Sequence, residues 1–301
     1  MKSIEMAVRH LIEGNNTLSV VWNALLDIWR VDSIPKDLDG FYREKETESC
    51  RLEETLERTY FEAYGELLNS AMAYVTPPWA IEQDRLTLIV DAMSVREACL
   101  LRPYLEAEGY QVESMSFSLS ALPSHTEAFT RKYFNMGQPT QIIGKQGIFV
   151  SPPGHPVPQY PSHNIRFAWL RYPDRGLHAT ILSPSEVFDK TSEYILEMMR
   201  NSGRSAFMLT SDHGYIYAES ADHAFPVAQS VQREMRKVFG GSRYVQAPKE
   251  ASATIREKTS SVGDTLLVRG RYVWRQRDKR YFHGGLTFAE CLVPVIKIKA
   301  K

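Results

Sequence analysis

The chain has 301 residues, 43% of them hydrophobic, so it can bury the core of one large α/β domain plus an accessory segment. Its formal net charge of zero excludes a global basic field for nucleic acid, and no uninterrupted apolar stretch reaches membrane length. Cys50, Cys99 and Cys291 are scattered without a CxxC pair and Met1-Lys2-Ser3-Ile4-Glu5 has no apolar signal region, so a soluble cytoplasmic protein with buried free thiols is expected.

Residues 4–76 are expected to be helical. Leu18, Val21, Trp22, Leu25, Leu26 and Trp29 recur at helical spacing, as do Leu52, Leu56, Tyr60, Tyr64, Leu67 and Leu68. Pro35 and Gly40 mark a break between helices, and Pro77-Pro78 closes this block. We treat residues 1–80 as a helical N-terminal segment and 81–301 as the main domain.

The pattern then changes. Leu86–Val90 predicts a strand, followed by a helical stretch through Leu105. Tyr110–Phe117, Ile165–Leu170 and Ser205–Thr210 predict further strands, and Thr126–Phe134 and Ser183–Arg200 predict helices, the latter opening on the capping sequence Ser183-Pro184-Ser185-Glu186. The proline-rich stretch 138–162 and the polar stretch 247–264 read as loops, and Thr265–Arg275 as a last strand. Strands alternating with helices imply an α/β fold with a mostly parallel sheet covered by helices on both faces.

Zero net charge hides a split. Residues 1–84 hold 8 Lys/Arg against 16 Asp/Glu, a balance of −8, whereas residues 231–281 hold 13 against 5, a balance of +8. The bland explanation is two solvated surfaces. The functional one is that the basic segment, a candidate insertion with Arg269, Arg271, Arg275 and Arg277, meets a polyanionic substrate.

Four acidic or histidine clusters carry the chemistry, three of them at or near strand ends, where open α/β sheets bind ligands. They are Asp91 after the first strand, Asp174 and His178 after the third, Asp212-His213 after the fourth, and His283 before Gly284-Gly285. Asp and His together suit zinc, manganese or a similar divalent ion. Between the first two clusters, Leu122-Pro123-Ser124-His125-Thr126 places hydroxyls at a helix start, where free backbone amides favour phosphate. Ser124 and Thr126 can equally be ordinary N-caps.

The order Asp at a strand end, Ser/Thr at a helix start, Asp-x-x-x-His, Asp-His-Gly and a C-terminal His resembles the alkaline phosphatase superfamily. The wording Leu86–Asp91 with Arg96 behind it, Leu122–Thr126, Thr210–Gly214, and His283–Thr287 through Glu290 and Pro294 resembles its PglZ domain, over about residues 86–297. Family members commonly have Gly or Asn soon after the first Asp, where this chain has Ala92.

The resemblance implies two divalent metal ions, zinc or else manganese, with Asp91, Thr126, Asp212 and His213 at one and Asp174, His178 and His283 at the other. It implies Thr126 as nucleophile, with Ser124 and Ser94 as alternatives, and Arg96 or Arg175 steadying a phosphoryl oxygen. The implied activity is phosphoester hydrolysis, foremost as a phosphodiesterase, on nucleotides, oligonucleotides or nucleic acid, with protein partners from a defence or signalling system. Two other readings stay open: a non-catalytic PglZ-like module that binds a nucleotide or partner, and a nucleic-acid-binding protein using Tyr244, Tyr272, Trp274 and Tyr281 of the basic segment.

Overall fold

The computed structural model describes residues 2–14, 16–73, 75–82, 84–138, 148–150, 165–178, 182–247, 251–274 and 280–301. The helices are α1 (Lys2–Ile12), α2 (Thr17–Trp29), α3 (Leu38–Thr59), α4 (Glu62–Met72), α5 (Pro78–Ile81), α6 (Val95–Ala107), α7 (Thr126–Phe134), α8 (Asp174–His178), α9 (Pro184–Asn201), α10 (Gln229–Phe239), α11 (Ala253–Arg256) and α12 (Phe288–Cys291). The strands are β1 (Leu86–Val90), β2 (Tyr110–Leu119), β3 (Ile148–Val150), β4 (Phe167–Leu170), β5 (Ala206–Thr210), β6 (Ile216–Tyr217), β7 (Tyr244–Gln246), β8 (Thr259–Val262), β9 (Thr265–Val268), β10 (Tyr281–Phe282) and β11 (Leu292–Ala300).

The uninterrupted apolar runs become central strands because they are covered on both faces: every residue of β1 is buried. The main sheet has the order β2-β11-β5-β1-β4-β3. Neighbours pair in parallel except β11, which runs antiparallel to both β2 and β5. The mostly parallel α/β fold expected from the alternation is therefore present. β11 carries no strand expectation, since Pro294 interrupts its run. Pro294 sits opposite Phe117 of β2, before the pairing with β5 begins at Val295, so little of the ladder is lost there.

The antiparallel course of β11 positions the site. Parallel strands β1, β4 and β5 deliver Asp91, Asp174 and Asp212 just beyond their carboxyl ends. β11 starts at that same edge, with Leu292 opposite Leu119, so the residues leading into it, His283–Cys291, arrive there too.

Two expectations change in the polar and proline-rich stretches. Residues 247–264 hold α11 and β8 rather than only loop. β8 is an edge strand of polar residues on β9, which leaves no hydrophobic alternation to read. β3 adds a strand within 138–162, most of which lies outside the described residues. The strand expected over Thr265–Arg275 ends at Val268, because Gly270 takes a left-handed turn, φ +56°, packed against Phe225.

The N-terminal helices share one core with the sheet, in which Val21, Trp22, Leu25 and Trp29 pack with Leu88, Leu100 and Phe207. The segment 231–281 has a smaller core of its own, Met235, Phe239, Ile255, Leu266, Val268 and Trp274, beneath the sheet β7-β9-β8.

The charge split has an internal explanation. Glu46, Glu53 and Glu57 lie at helical spacing on α3 and form one face. Arg271, fully buried, pairs with Glu46 and reaches Glu53 at 3.5 Å. Arg269 pairs with Glu57 at 3.1 Å. The acidic block thus meets the basic segment inside the molecule, which corrects the expectation that Arg269 and Arg271 face a substrate. Arg275 and Arg277 lie outside the described residues. Trp274 and Tyr281 are buried, so they do not offer the exposed rings that single-strand binding requires.

Candidate active site

Asp91 directly follows β1, and the chain turns at once through Ala92, whose φ of +63° is left-handed. Gly and Asn reach that conformation at lower cost, which gives a physical reason for their use at this position in the resembled motif. The Ala92 N–H donates to Asp212 Oδ1 at 3.1 Å, tying the end of β1 to the end of β5. Trp169 Nε1 on β4 lies 3.4 Å from Asp91 Oδ2 and donates to it.

Thr126 is the first residue of α7, but it is not the cap. His125 is: its Nδ1 accepts from the N–H groups of Glu127 (3.1 Å) and Ala128 (3.3 Å). That leaves the Thr126 hydroxyl for the site, where Oγ1 donates to Asp212 Oδ2 at 2.6 Å and lies 3.3 Å from Asp91 Oδ1 and 3.4 Å from His213 Nε2. Burial, with a further contribution from His213, holds the His125 imidazole down at about 4, so the cap is uncharged.

His213 is fully buried, and its Nδ1 donates to the Gly214 carbonyl at 2.9 Å. A carbonyl only accepts, so the proton is on Nδ1 and Nε2 is left as an acceptor, 3.7 Å from Asp91 Oδ1 and 3.6 Å from Asp212 Oδ2. Asp174 opens α8 and His178 follows one turn later, 3.3 Å away. His178 Nε2 lies 3.2 Å from His283 Nε2, which is itself 3.8 Å from Asp174 Oδ1. The His213 and His283 rings stack with centroids 4.5 Å apart.

All seven residues expected to bind metal therefore converge. Two sets are arranged closely enough to hold a cation: Asp174, His178 and His283, and Asp91, Asp174 and His213. Asp174 is common to both. The electrostatics fit a cation. Burial, then the like charges of Asp212 and Asp174, push the Asp91 carboxyl well above its usual range. For Asp174 burial pushes upward but is outweighed by the hydrogen bond from His178 and the neighbouring imidazoles of His283 and His213, which draw it to about 2. A bound cation would relieve both the carboxylate repulsion at Asp91 and the crowding of the two Nε2 atoms.

The other candidate residues lie elsewhere. Arg96 is buried in an ion pair with Glu46 and donates from Nη1 to the Tyr215 carbonyl (2.9 Å) and Ser94 Oγ (3.0 Å). That corrects its expected role at a phosphoryl oxygen: the buried guanidinium joins α3, α6 and the turn after β5 through Nε and Nη1. Arg175 is exposed on α8, about 100° round the helix from Asp174. Ser94 caps α6 in a capping box with Glu97. Ser124 is buried, donating to the Gly285 carbonyl (2.8 Å) and accepting from the Gly284 N–H (3.0 Å). Both hydroxyls are occupied in holding backbone, and Ser124 joins the Thr126 loop to the His283 loop.

Sequence reasoning named Glu290 in the last motif but gave no role to it, to Trp169 or to Arg243. Trp169 has no signal beyond its place in a strand. Arg243 and Glu290 organise the His283 loop, with Glu290 Oε1 accepting from Arg243 Nε (3.1 Å) and the Gly285 N–H (2.9 Å). Gly214 is a close approach: its N–H donates to the Glu290 carbonyl at 2.8 Å, and a Cβ there would collide with the Ala289 carbonyl oxygen. Gly214→Ala is expected to destabilise the fold by about 1–3 kcal/mol in urea denaturation. A loss below about 0.5 kcal/mol would mean the β5 end has room to shift.

Residues 183–298 match the family model of the BREX system PglZ alkaline phosphatase-like domain. No curated protein matches the chain. Among solved structures, phosphonoacetate hydrolase from Sinorhizobium meliloti 1021 in complex with phosphonoacetate is 15% identical, over 71% of this chain and 65% of that one, with a TM-score of 0.28. Murine ectonucleotide pyrophosphatase/phosphodiesterase 5 in complex with AMP is 13% identical, over 47% and 49%, with a TM-score of 0.24. The chain spans less than two thirds of the length of either, and the overlaps are too loose to assign chemistry. Asp91, Thr126, Asp174 and His178 precede the family match, while Asp212, His213 and His283 fall within it. Over residues 183–298 the chain is therefore similar to the PglZ alkaline phosphatase-like domain.

Proposed function

We propose that the chain is a metal-dependent phosphohydrolase acting on phosphoesters of nucleotides or nucleic acid, with Thr126 as its nucleophile. The observation that carries this reading is the Thr126 hydroxyl at a helix start, 2.6 Å from Asp212 Oδ2 and 3.3–3.4 Å from Asp91 and His213 of one cation-holding set. Asp91, Asp212 and His213 with Thr126, and Asp174, His178 and His283, would hold two divalent ions, zinc or manganese. Such ions, when bound, offset the negative charge at phosphorus and lower the pKa of a coordinated hydroxyl.

The chain's own residues do the rest. Asp212 Oδ2 takes the Thr126 proton as Oγ1 attacks phosphorus, the bond to the leaving oxygen breaks, and that oxygen departs with a proton from solvent. Water then attacks phosphorus of the covalent intermediate and leaves its hydroxyl there, its other proton going to solvent. The bond to Oγ1 breaks and Asp212 returns the proton to that oxygen, which releases a phosphomonoester from a diester or phosphate from a monoester. His213, its proton fixed on Nδ1 by the Gly214 carbonyl, keeps Nε2 turned to this centre. Of the two arginines considered for a substrate oxygen, Arg175 is exposed on α8 and Arg96 is buried, so Arg175 is the one proposed to meet it.

The BREX context of the matched family supports a role in defence alongside protein partners of such a system. No helix among the described residues is long and apolar enough to cross a membrane, and we place the protein in the cytoplasm. The test is a hydrolysis screen of phosphate mono- and diesters with added zinc and manganese. At least one diester should be turned over, lose turnover with chelator and regain it with the cation. A folded, metal-loaded chain that binds nucleotides but turns over no ester would overturn this reading in favour of a binding module.

A further inference from the structure

The basic segment turns Arg269 and Arg271 inward, yet its first strand still reaches the rim of the candidate site. A groove of about 540 Å³ lies between α7 and β7, lined by Pro123, His125, Arg131 and Lys132 on one side and by Tyr244 and Gln246 on the other. That volume falls within the roughly 300–1,000 Å³ of small-molecule clefts. It exceeds what a small alcohol leaving group requires.

The groove is lined in part by a ring pair: Tyr244 stacks on His125 with centroids 4.8 Å apart and planes 23° apart. A Cβ on Gly284, the residue after His283, would come within 2.8 Å of Tyr244 Cδ1. The tyrosine is thus fixed between the loop that carries Thr126 and the loop that carries His283. Because His125 Nδ1 accepts two backbone N–H groups, its proton is on Nε2, which remains a donor. Along α7 the lining also carries two cations against one carboxylate. Arg131, exposed, holds Glu127 at 2.6 Å, and Lys132 donates to the carbonyls of Ala71 (2.8 Å) and Ala73 (3.2 Å). Rings and a donor together with a net positive charge suit an anionic, ring-bearing group, and an acyl chain would find too little apolar wall.

We propose that this groove takes the nucleotide unit attached beyond the scissile phosphate, which makes the substrate class a di- or oligonucleotide rather than a lone nucleoside monophosphate. His125 and Glu127 line the groove and flank Thr126 in sequence, so a group held there is in reach of an ester at the Thr126 hydroxyl. The substrate assignment rests on the phosphohydrolase reading above, whereas the groove's affinity can be measured without turnover.

The experiment uses the full Thr126→Ala chain loaded with zinc, and titrates it with a 5′-phosphorylated thymidine dinucleotide and with thymidine monophosphate. The dinucleotide should bind at least about tenfold tighter, the size of one base–ring contact. Tyr244→Ala should remove that advantage and Tyr244→Phe should keep it. Arg131→Gln, at an exposed position that does not threaten folding, should flatten the salt dependence of dinucleotide binding by about one phosphate contact and leave that of the monophosphate less changed. Equal affinities, or equal effects of Tyr244→Ala and Arg131→Gln on both ligands, overturn the proposal. The two readings fail separately. A chain that turns over no ester but prefers the dinucleotide through Tyr244 loses the phosphohydrolase reading and keeps the groove. One that turns over esters without such a preference loses the groove alone.

Discussion

Thr126→Ala is expected to lower turnover of a phosphoester by about a thousandfold or more, as loss of a covalent nucleophile does. The fold should hardly notice. Thr126 stands at the start of α7, but His125 supplies the cap by accepting from Glu127 and Ala128. Removing the threonine hydroxyl therefore does not cost the roughly 1 kcal/mol of a lost cap. The alanine variant should unfold in urea within about 0.5 kcal/mol of the wild type, and its kcat, measured at saturating substrate, should carry the loss. Ser124→Ala is the control: it severs the link to Gly284 and Gly285, so both stability and activity should fall together. A fully active Thr126→Ala chain beside a dead Ser94→Ala or Ser124→Ala chain would place the nucleophile on the wrong hydroxyl.

Arg271→Met should cost about 3–5 kcal/mol, because it leaves the buried carboxylates of Glu46 and Glu53 without their shared cation. The two carboxylates are not equivalent. For Glu46, burial is outweighed by Arg96 and Arg271, and its carboxyl is held below the usual range. Its contribution is therefore complete above the unfolded value of about 4.3 and is lost as pH falls through the lower folded one. For Glu53, 3.5 Å from the guanidinium, burial wins and the carboxyl is pushed up. Its charged form burdens the fold at neutral pH, and that burden lifts as pH falls through the raised value. Urea midpoints at neutral pH should accordingly fall sharply for Glu46→Gln. They should stay level or rise for Glu53→Gln, whose amide oxygen still accepts from the Phe288 N–H. Equal losses for the two variants would mean that Arg271 serves both acids alike.

The parts of this molecule that were legible in the sequence are those whose signal is local. β1 is a run of apolar and β-branched residues buried on both faces, and it appears at the expected residues. α9 announces itself by the capping box at Ser183 and Glu186, with helix from Pro184 onward. The site residues could be singled out because Asp91, Asp174 and Asp212 each follow a strand of one parallel sheet. Composition and spacing could not show that β11 runs antiparallel and so carries His283 to the same edge, since strand direction is settled by long-range pairing.

Charge was legible only as a total. The acidic and basic stretches suggested an external polyanion, yet Glu46, Glu53 and Glu57 take up Arg271 and Arg269 inside the fold. Pairing partners more than two hundred residues apart leave no pattern in a one-dimensional count. Arg96 misled for the same reason: its nearness in sequence to Asp91 does not reveal that its side chain turns toward Glu46 on α3. The role of His125 as cap was hidden because a Ser and a Thr, both better caps by type, flank it.

The central claim is that three aspartates and three histidines, with Thr126, form a centre for two cations. Elemental analysis of the full chain purified without chelator tests it most directly. One to two divalent ions per chain are expected, one of them lost on Asp212→Asn or His213→Ala without unfolding. A folded wild-type chain that stays metal-free in micromolar zinc and manganese would contradict the account.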